Sequence, residues 1–368
     1  MLLEDQIEMY RRQIATDSYP MSIGELANLY RDGEIDIHPE FQRIFRWRDG
    51  QKSRLVESVL LGIPLPSIFV AQNDKGIWDV VDGVQRLSTI FQFMGILRNE
   101  EGDLYDPLIC IDAPFLTHLD GCSYETEIEG AEKSLTPTQR LDFKRARVDM
   151  KIIKRESDNR AKYDLFQRLN SFGSVATEQE LRNCLLVSMS KPHFEWLTEV
   201  SNDRNFLAVL DMPQRLIDER YHMELALRFT FLHSIPEPRL SSIRNIGDFL
   251  TEQLVDFADL SPRKLEEEKE VFSRTFEVLA ASGGADLLRR WNYAKTRPEG
   301  YFSLTAFEAL ALGIAYNLPG RRSSFGDISS KQKELWSNPQ FSAGHATGVR
   351  SDQRMKRTIP FGRQLFSG

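Results

Sequence analysis

Cysteine is scarce in this sequence, with only Cys110, Cys122 and Cys184 among 368 residues and no Cys-x-x-Cys pair. A disulfide framework is therefore not expected. We expect buried free thiols in a reducing cytoplasm instead. The six histidines are scattered, with no His-Glu-x-x-His and no Cys/His zinc spacing. The sequence predicts no zinc centre.

Long hydrophobic runs are absent too, and the N-terminus has neither the basic segment nor the apolar core of a secretion signal. The formal net charge is −7, unlike that of a protein that coats DNA. There is no Gly-x-x-x-x-Gly-Lys-Ser/Thr P-loop, so any nucleotide site belongs to another class. We expect a cytoplasmic protein with no membrane partner.

Basic residues are nevertheless concentrated in two places. One group surrounds the aromatic residues between positions 41 and 47 and consists of Arg43, Arg46, Arg48, Lys52 and Arg54. The other is the segment 345–368, which carries five Lys or Arg against one Asp. Basic patches can exist on an acidic molecule, so both groups are candidate contacts for phosphate.

The chain is longer than one hydrophobic core usually requires, which favours two domains. Residues 1–20 are predicted to be an N-terminal arm or amphipathic helix. Residues 21–185 are predicted to be an α/β domain, because strand and helix patterns alternate there. Residues 186–368 are predicted to be helical, with amphipathic runs at about 213–233, 243–257, 262–281 and 301–316.

The most informative local pattern runs from residue 67 to residue 94. Two strands, 67–72 and 77–81, are joined by a turn at 73–76, and a helix follows a tight turn at Asp82-Gly83. Gly83 lets the backbone approach a ligand, and the amides at a helix N-terminus favour an anion. Arg86 offers a planar fork to phosphate, Gln85 a group that orients water, and Asp82 a ligand for Mg²⁺. A tight turn with an Asp cap and a surface Arg is the alternative.

A second candidate element is Pro-x-x-Gln-Arg at residues 39–43, where Gln42 and Arg43 follow a strand and a turn. Arg43 could complete a phosphate clamp. Alternatively, the neighbouring aromatic residues are core and the arginines form its solvated rim.

Four motifs in order resemble those of the N-terminal domain family of GmrSD-type restriction proteins and SspE-like defence proteins, which have a ParB/sulfiredoxin-like core. They are Pro-x-x-Gln-Arg at 39–43, Gly-Ile-Pro-x-Pro at 62–66, Asp-Gly-x-Gln-Arg at 82–86 and Phe-x-Arg-Leu-Asn-x-x-Gly at 166–173. The resemblance implies an α+β fold, with a small mixed sheet in the N-terminal domain and a mostly α-helical C-terminal domain.

The resemblance also implies nucleotide binding, often with triphosphate hydrolysis, coupled to DNA restriction. Asp82, Gly83, Gln85 and Arg86 would line the nucleotide site, with Asp82, Gln85 and Arg86 catalytic. Gln42 and Arg43 would face them. Arg168 and Asn170 would reach the same cleft, and Arg182 and Asn183 follow on the next helix. Helix-end capping and surface salt bridges explain these four residues equally well.

One departure from the family is Val84, which replaces the first glutamine of the family's Asp-Gly-Gln-Gln-Arg signature. If that glutamine positions water or a metal ion, this chain binds nucleotide and hydrolyses it poorly. If Gln85 and Arg86 do that work, hydrolysis is retained. No His-Asn-His nuclease module is recognisable in 190–368, so a separate nuclease subunit is the expected partner.

Three hypotheses follow. The leading one is a nucleotide-binding, NTP-hydrolysing regulatory component of a phage-defence or restriction system, with NTP and Mg²⁺ as ligands and DNA contacted directly or through a partner. The second is a DNA-binding or DNA-nicking protein that uses the same clamp, with Arg46, Arg48, Arg54 and the basic tail on phosphates. The third is a catalytically inactive adaptor whose helical half docks a partner.

Overall fold

The structure is a computed structural model of the chain, and it describes residues 3–4, 15–37, 47–73, 75–99, 102–125, 128–154, 157, 177–318, 325–342 and 351–367. The chain divides into two compact units, Met1–Met189 and Ser190–Gly368. Within the described ranges, no helix combines the length and the apolar composition that crossing a membrane requires.

A mixed sheet of five strands lies in the first unit. Its strands are β1 (Thr16–Ser22), β2 (Ile35–Asp36), β3 (Ile68–Gln72), β4 (Trp78–Asp82) and β7 (Arg147–Ile153). Their order is β1-β7-β3-β4-β2. The β1/β7 and β3/β4 pairs are antiparallel, and the β7/β3 and β4/β2 pairs are parallel. Two short parallel strands, β5 (Cys122–Ser123) and β6 (Lys133–Ser134), form a separate pair.

The described helices of the first unit begin and end at recognisable sequence signals. They are α1 (Ile23–Arg31), α2 (Asp49–Leu60), α3 (Val84–Phe93), α4 (Pro137–Arg145) and α5 (Glu178–Met189). At α1, the Ser22 hydroxyl accepts from the Glu25 amide at 3.1 Å, so serine caps the N-terminus of this helix. At α2, Gly62 has φ +70° and the Ile63 amide donates to the Ser58 carbonyl at 2.9 Å, a Schellman end.

The core of the first unit is built where the apolar faces of the strands meet the helices. Ile68, Val70 and Val80 from the sheet are at most 1% exposed, as are Leu87 and Phe91 from α3. Alternation in the strands and the 3.6-residue period in the helix bring these side chains to one layer. The predicted α+β class, with a small mixed sheet followed by a helical part, is confirmed. The ParB/sulfiredoxin-like assignment stays a prediction.

The N-terminal part of the chain differs from its prediction as an arm or helix at residues 16–20. These residues belong to β1, whose seven residues pair with β7 from Thr16↔Ile153 to Ser22↔Arg147. The segment alternates poorly, with four of its seven residues exposed, because β1 is an edge strand of the sheet. Its backbone pairing therefore came from a strand more than 120 residues away, which no local pattern announces.

The second unit is mainly helical over its described residues. Its helices are α6 (Lys191–Ser201), α7 (Arg204–Leu210), α8 (Gln214–Asp218), α9 (Tyr221–Leu232), α10 (Glu237–Ser242), α11 (Ile246–Ala258), α12 (Pro262–Ser282), α13 (Leu304–Ala306), α14 (Leu312–Asn317), α15 (Ile328–Ser337), α16 (Pro339–Ser342) and α17 (Ser351–Leu365). A π-helical turn, Phe307–Ala311, joins α13 to α14. The hairpin β8 (Arg290–Asn292) and β9 (Arg297–Glu299) was not predicted.

The amphipathic run predicted at about 213–233 forms two helices in the structure, α8 and α9. Arg220, between them, has φ +61°, in the left-handed region. A residue in that conformation cannot continue a right-handed helix. The amphipathic period carries across the break, and the sequence pattern therefore concealed it.

The prediction that the basic C-terminal tail contacts phosphate is wrong for Arg354 and Arg363. Arg354 makes a bidentate pair with Glu308, with Nε donating to Oε2 at 3.1 Å and Nη2 to Oε1 at 2.9 Å. Arg363 is 7% exposed, and its Nη2 donates to the carbonyls of Leu232, His233 and Ile235 at 3.3, 3.2 and 2.7 Å. These charges complete the fold instead of facing a ligand, because each satisfies buried acceptors.

Candidate functional site

The site begins at the junction between β4 and α3. Gly83 is the residue before α3 and has φ +102°, a conformation that other residues rarely adopt. A Cβ on Gly83 would lie 2.8 Å from Cγ1 and 3.2 Å from Cγ2 of the fully buried Ile68. Both the conformation and the close approach to β3 therefore require glycine. The first amides of α3, which have no intrahelical acceptors, lie at this end of β4.

Arg86 holds this junction against the loop that precedes β3. Its Nη2 donates to Asp82 Oδ2 at 2.8 Å, and its Nη1 donates to the Ser67 carbonyl at 3.0 Å and to the Pro66 carbonyl. The Arg86 side chain is 11% exposed. One guanidinium thus connects two of the motifs, 62–66 and 82–86. Asp82 also compensates its charge, so the predicted role of Arg86 as a phosphate fork stays a prediction and a positioning role is added.

Gln85 accepts a hydrogen bond from the backbone just after the Pro-x-x-Gln-Arg motif. The Trp47 amide donates to Gln85 Oε1 at 3.4 Å, and Gln85 is 7% exposed. Trp47 is the first described residue after the Pro-x-x-Gln-Arg segment, four positions beyond Arg43. The described chain next to that segment, at Trp47, therefore contacts the Asp82–Arg86 turn, and the facing of the two motifs stays a prediction.

Val84 lies in the hydrophobic core of the first unit and is 1% exposed. The position that departs from the family signature is thus directed into the core in this chain, where valine is matched to its surroundings. The polar members of the motif that remain for chemistry are Asp82, Gln85 and Arg86.

Asp82 is the residue predicted to contact Mg²⁺. Among the described residues, no group of three or more His, Cys, Asp or Glu side chains could hold a metal ion. One oxygen of Asp82 is engaged by Arg86, and its side chain is 28% exposed. A Mg²⁺ ion that keeps several waters and is held by phosphate oxygens needs only one such carboxylate, so the residue type fits.

Several predicted site residues lie outside the described residues, namely Gln42, Arg43, Arg46, Arg168 and Asn170. The predicted DNA contacts Arg48 and Arg54 are described, and both are exposed at the beginning of α2 or just before it. Arg54 pairs with Asp112 at 3.4 Å, and the two side chains are 59% and 76% exposed. Such an exposed pair is weak, and a contact between Arg54 and a phosphate stays a prediction.

Three polar side chains of α5 form a buried hydrogen-bonded chain. The Gln179 amide donates to Asn183 Oδ1 at 2.7 Å, and Arg182 Nε donates to Gln179 Oε1 at 3.0 Å. All three side chains belong to residues at most 2% exposed. The available signal was their i, i+3, i+4 spacing, which places them on one face of the helix. Arg182 Nη1 also lies 3.4 Å from Glu178 Oε2, so the buried guanidinium makes an ion pair with an exposed carboxylate.

The cysteines do not contribute to the site. All three are free and buried, as expected from their number and spacing. Burial raises the pKa of the Cys110 thiol to about 12, so that this thiol stays protonated and unreactive at neutral pH.

Comparison with known proteins finds one family model that matches most of the first unit. Residues 23–187 match the family model described as the N-terminal domain of the GmrSD restriction endonuclease. The matched range contains all four motifs, so the resemblance inferred from them is confirmed. No curated protein and no solved structure matches the chain.

Proposed function

We propose that the first unit binds a nucleoside triphosphate at the N-terminus of α3 and hydrolyses it, as a regulatory component of a restriction or phage-defence system that acts on DNA. The family match over residues 23–187 supports the restriction role and the action on DNA. The observation that supports the nucleotide part is the Gly83 junction, where Arg86 ties the N-terminal turn of α3 to the loop that precedes β3.

Each residue has a distinct task in this proposal. The first amides of α3 bind phosphoryl oxygens, because they carry partial positive charge and lack intrahelical partners. Arg86 is a positioning residue that fixes the loop at 66–67 to α3. Since Asp82 pairs with Arg86, the proposal assigns the further positive charge at the phosphates to Arg43 of the Pro-x-x-Gln-Arg motif. Gln85 orients the attacking water, and Asp82 contacts the Mg²⁺ that accompanies the triphosphate.

Isothermal titration calorimetry of the full chain with each NTP, with and without Mg²⁺, tests the binding step. Arg43→Ala is expected to weaken NTP binding about 10- to 150-fold at unchanged thermal stability, since it removes one charge-assisted contact. Arg86→Ala is expected to weaken binding and lower stability together. Absence of heat with every NTP would remove the proposal, and so would undiminished binding in Arg43→Ala.

A hydrolysis assay separates the role of Gln85 from general damage to α3. Gln85→Ala is expected to lower kcat more than it raises KM, because orientation of water is needed only in the reaction. Gln92→Ala, two turns along the same helix, is the matched control and should leave kcat unchanged. Equal kcat in the two variants would assign Gln85 to packing.

DNA contact by α2 has its own test. Arg48→Ala and Arg54→Ala should each lower DNA affinity and reduce the dependence of log K on log salt by about 0.9, the value for one phosphate contact. An unchanged salt dependence in both variants would place the DNA contacts elsewhere. The separate nuclease subunit stays a prediction, which co-purification from the native cell followed by a plasmid-cleavage assay would check.

A further inference from the structure

The β8–β9 hairpin of the second unit concentrates positive charge and aromatic rings. Residues 289–299 contain four Lys or Arg, one Glu, one Trp and one Tyr. The hairpin pairs Arg290 with Glu299 and Asn292 with Arg297. Tyr293, in its turn, is 50% exposed, and Tyr301 just after it is 86% exposed. Tyrosine combines an apolar ring with a polar hydroxyl, and such side chains are common where a surface binds a partner.

A cavity of about 520 Å³ opens between this hairpin and α15. Its lining residues are Arg290, Trp291, Asn292, Tyr293, Ala294, Glu299, Gly300 and Trp336. The volume lies in the range of sites for small organic ligands. The lining combines flat aromatic faces with hydrogen-bonding side chains, which suits a planar, polar ligand.

Two cations make cation–π contacts with the tryptophan rings of this cavity. The Arg290 guanidinium carbon lies 5.8 Å from the centroid of the Trp336 ring, and Lys333 Nζ lies 4.6 Å from that of Trp291. The one acid of the lining, Glu299, accepts from Asn292 Nδ2 at 2.6 Å and from Lys295. Its charge is therefore compensated, and the cavity is lined by rings flanked by positive charge.

The cavity is held rigidly from α15. Gln332 Nε2 donates to the carbonyls of Leu287 and Arg289 at 3.1 and 3.0 Å, and Trp336 Nε1 donates to the Arg289 carbonyl at 3.2 Å. The Tyr293 hydroxyl donates to the Lys333 carbonyl. Rings fixed in this way lose little entropy when a ligand stacks on them.

We propose that this cavity binds an unstacked base of single-stranded nucleic acid, with the base against Trp291 and Tyr293 and the adjoining phosphates near Arg290 and Lys333. Aromatic platforms bordered by cations are the arrangement with which proteins hold single strands without base pairing. A duplex keeps its bases stacked and out of reach, so the same surface discriminates against it. The inference rests on the proposed action on DNA and adds a second contact surface to it.

Fluorescence anisotropy of the full chain with a labelled oligothymidylate of about 16 nucleotides tests the proposal, with a duplex of equal length as competitor. Tyr293→Ala is expected to weaken single-strand binding at least about fivefold, the lower limit for loss of one stacked base. Tyr293→Phe keeps the ring without the hydroxyl and should retain binding. Arg290→Ala should lower the salt dependence of log K by about 0.7.

Arg263→Ala is the matched control, since Arg263 is 88% exposed at the start of α12 and does not line the cavity. It should bind the oligonucleotide as the unmodified chain does. Wild-type affinity in Tyr293→Ala, an equal loss in Arg263→Ala, or duplex bound as tightly as single strand would overturn the proposal.

NTP calorimetry on the same variants keeps the two proposals apart. Normal NTP binding in Tyr293→Ala together with lost oligonucleotide binding supports both. Oligonucleotide binding that depends on Tyr293 in a chain that binds no NTP would remove the nucleotide proposal alone.

Discussion

Replacing Gly83 with alanine is the most direct test of the junction on which the site depends. At φ +102° a side chain costs about 1–2 kcal/mol relative to glycine. The new Cβ would also lie 2.8 Å from Cγ1 of the fully buried Ile68 side chain, and overpacking of this kind costs about 1–3 kcal/mol. Gly83→Ala should therefore lower the free energy of unfolding by about 2–5 kcal/mol.

Variants at Ile68 separate the two contributions. Ile68→Ala removes Cγ1 and Cγ2, so in that background Gly83→Ala should cost only the backbone part, about 1–2 kcal/mol. Ile68→Val keeps two γ carbons beside the glycine and should give no rescue. Urea denaturation followed by circular dichroism gives the cost of Gly83→Ala in three backgrounds, the wild-type, Ile68→Ala and Ile68→Val chains, each measured against its own parent. Equal rescue by valine and alanine, or a cost of Gly83→Ala below about 0.5 kcal/mol, would refute the close approach.

Three further predictions concern charges and a buried histidine. Arg86→Ala should lower the free energy of unfolding by about 1–3 kcal/mol, because Asp82 and two carbonyls lose their donor. Arg54→Ala, which breaks only an exposed pair, should stay within about 0.5 kcal/mol in the same urea denaturation. Arg354→Ala should cost about 3–5 kcal/mol, since it leaves a carboxylate that is 3% exposed without its cation, and the midpoint of thermal unfolding would show it. A change below about 1 kcal/mol would contradict the buried pair. Burial, and secondarily the charge of Arg220, lowers the pKa of His222 to about 4. Above pH 6.5 His222 is neutral in both states and does not change the free energy of unfolding. As the pH falls toward 4, the unfolded chain binds a proton at His222 and the folded chain does not. Up to about 3 kcal/mol of stability is lost over this range. His222→Gln should flatten this dependence between pH 6.5 and 4, and an unchanged slope would show that other groups cause it.

The part of the candidate site that local sequence could predict is the part made of neighbours. The strands before Gly83, the turn and α3 followed from alternation, a glycine and a 3.6-residue period, and the structure has them within one residue of their predicted bounds. Ser22 and the Thr177/Glu180 capping box were predictable for the same reason, because a cap joins residues three positions apart.

The partners of Arg86 could not be predicted, because Pro66 and Ser67 lie about twenty residues away and offer only backbone carbonyls. No residue type marks a carbonyl as an acceptor, so the guanidinium looked available for phosphate. The cavity at Trp291 and Trp336 was missed for a related reason. Its rings come from segments more than 40 residues apart, although the density of cations and aromatics in 289–301 was a usable signal.

By itself, the sequence determined the family that the first unit resembles, the succession from β3 to α3 and the glycine at the β4–α3 junction, because each depends on residues close together in the chain. Tertiary structure alone decided which charges remain for a ligand. A cation on a helix is available only if no distant acceptor takes it, and Arg86, Arg354 and Arg363 are each taken by groups that folding brings to them. Those positions are set by burial and long-range contacts, which residue types do not encode locally.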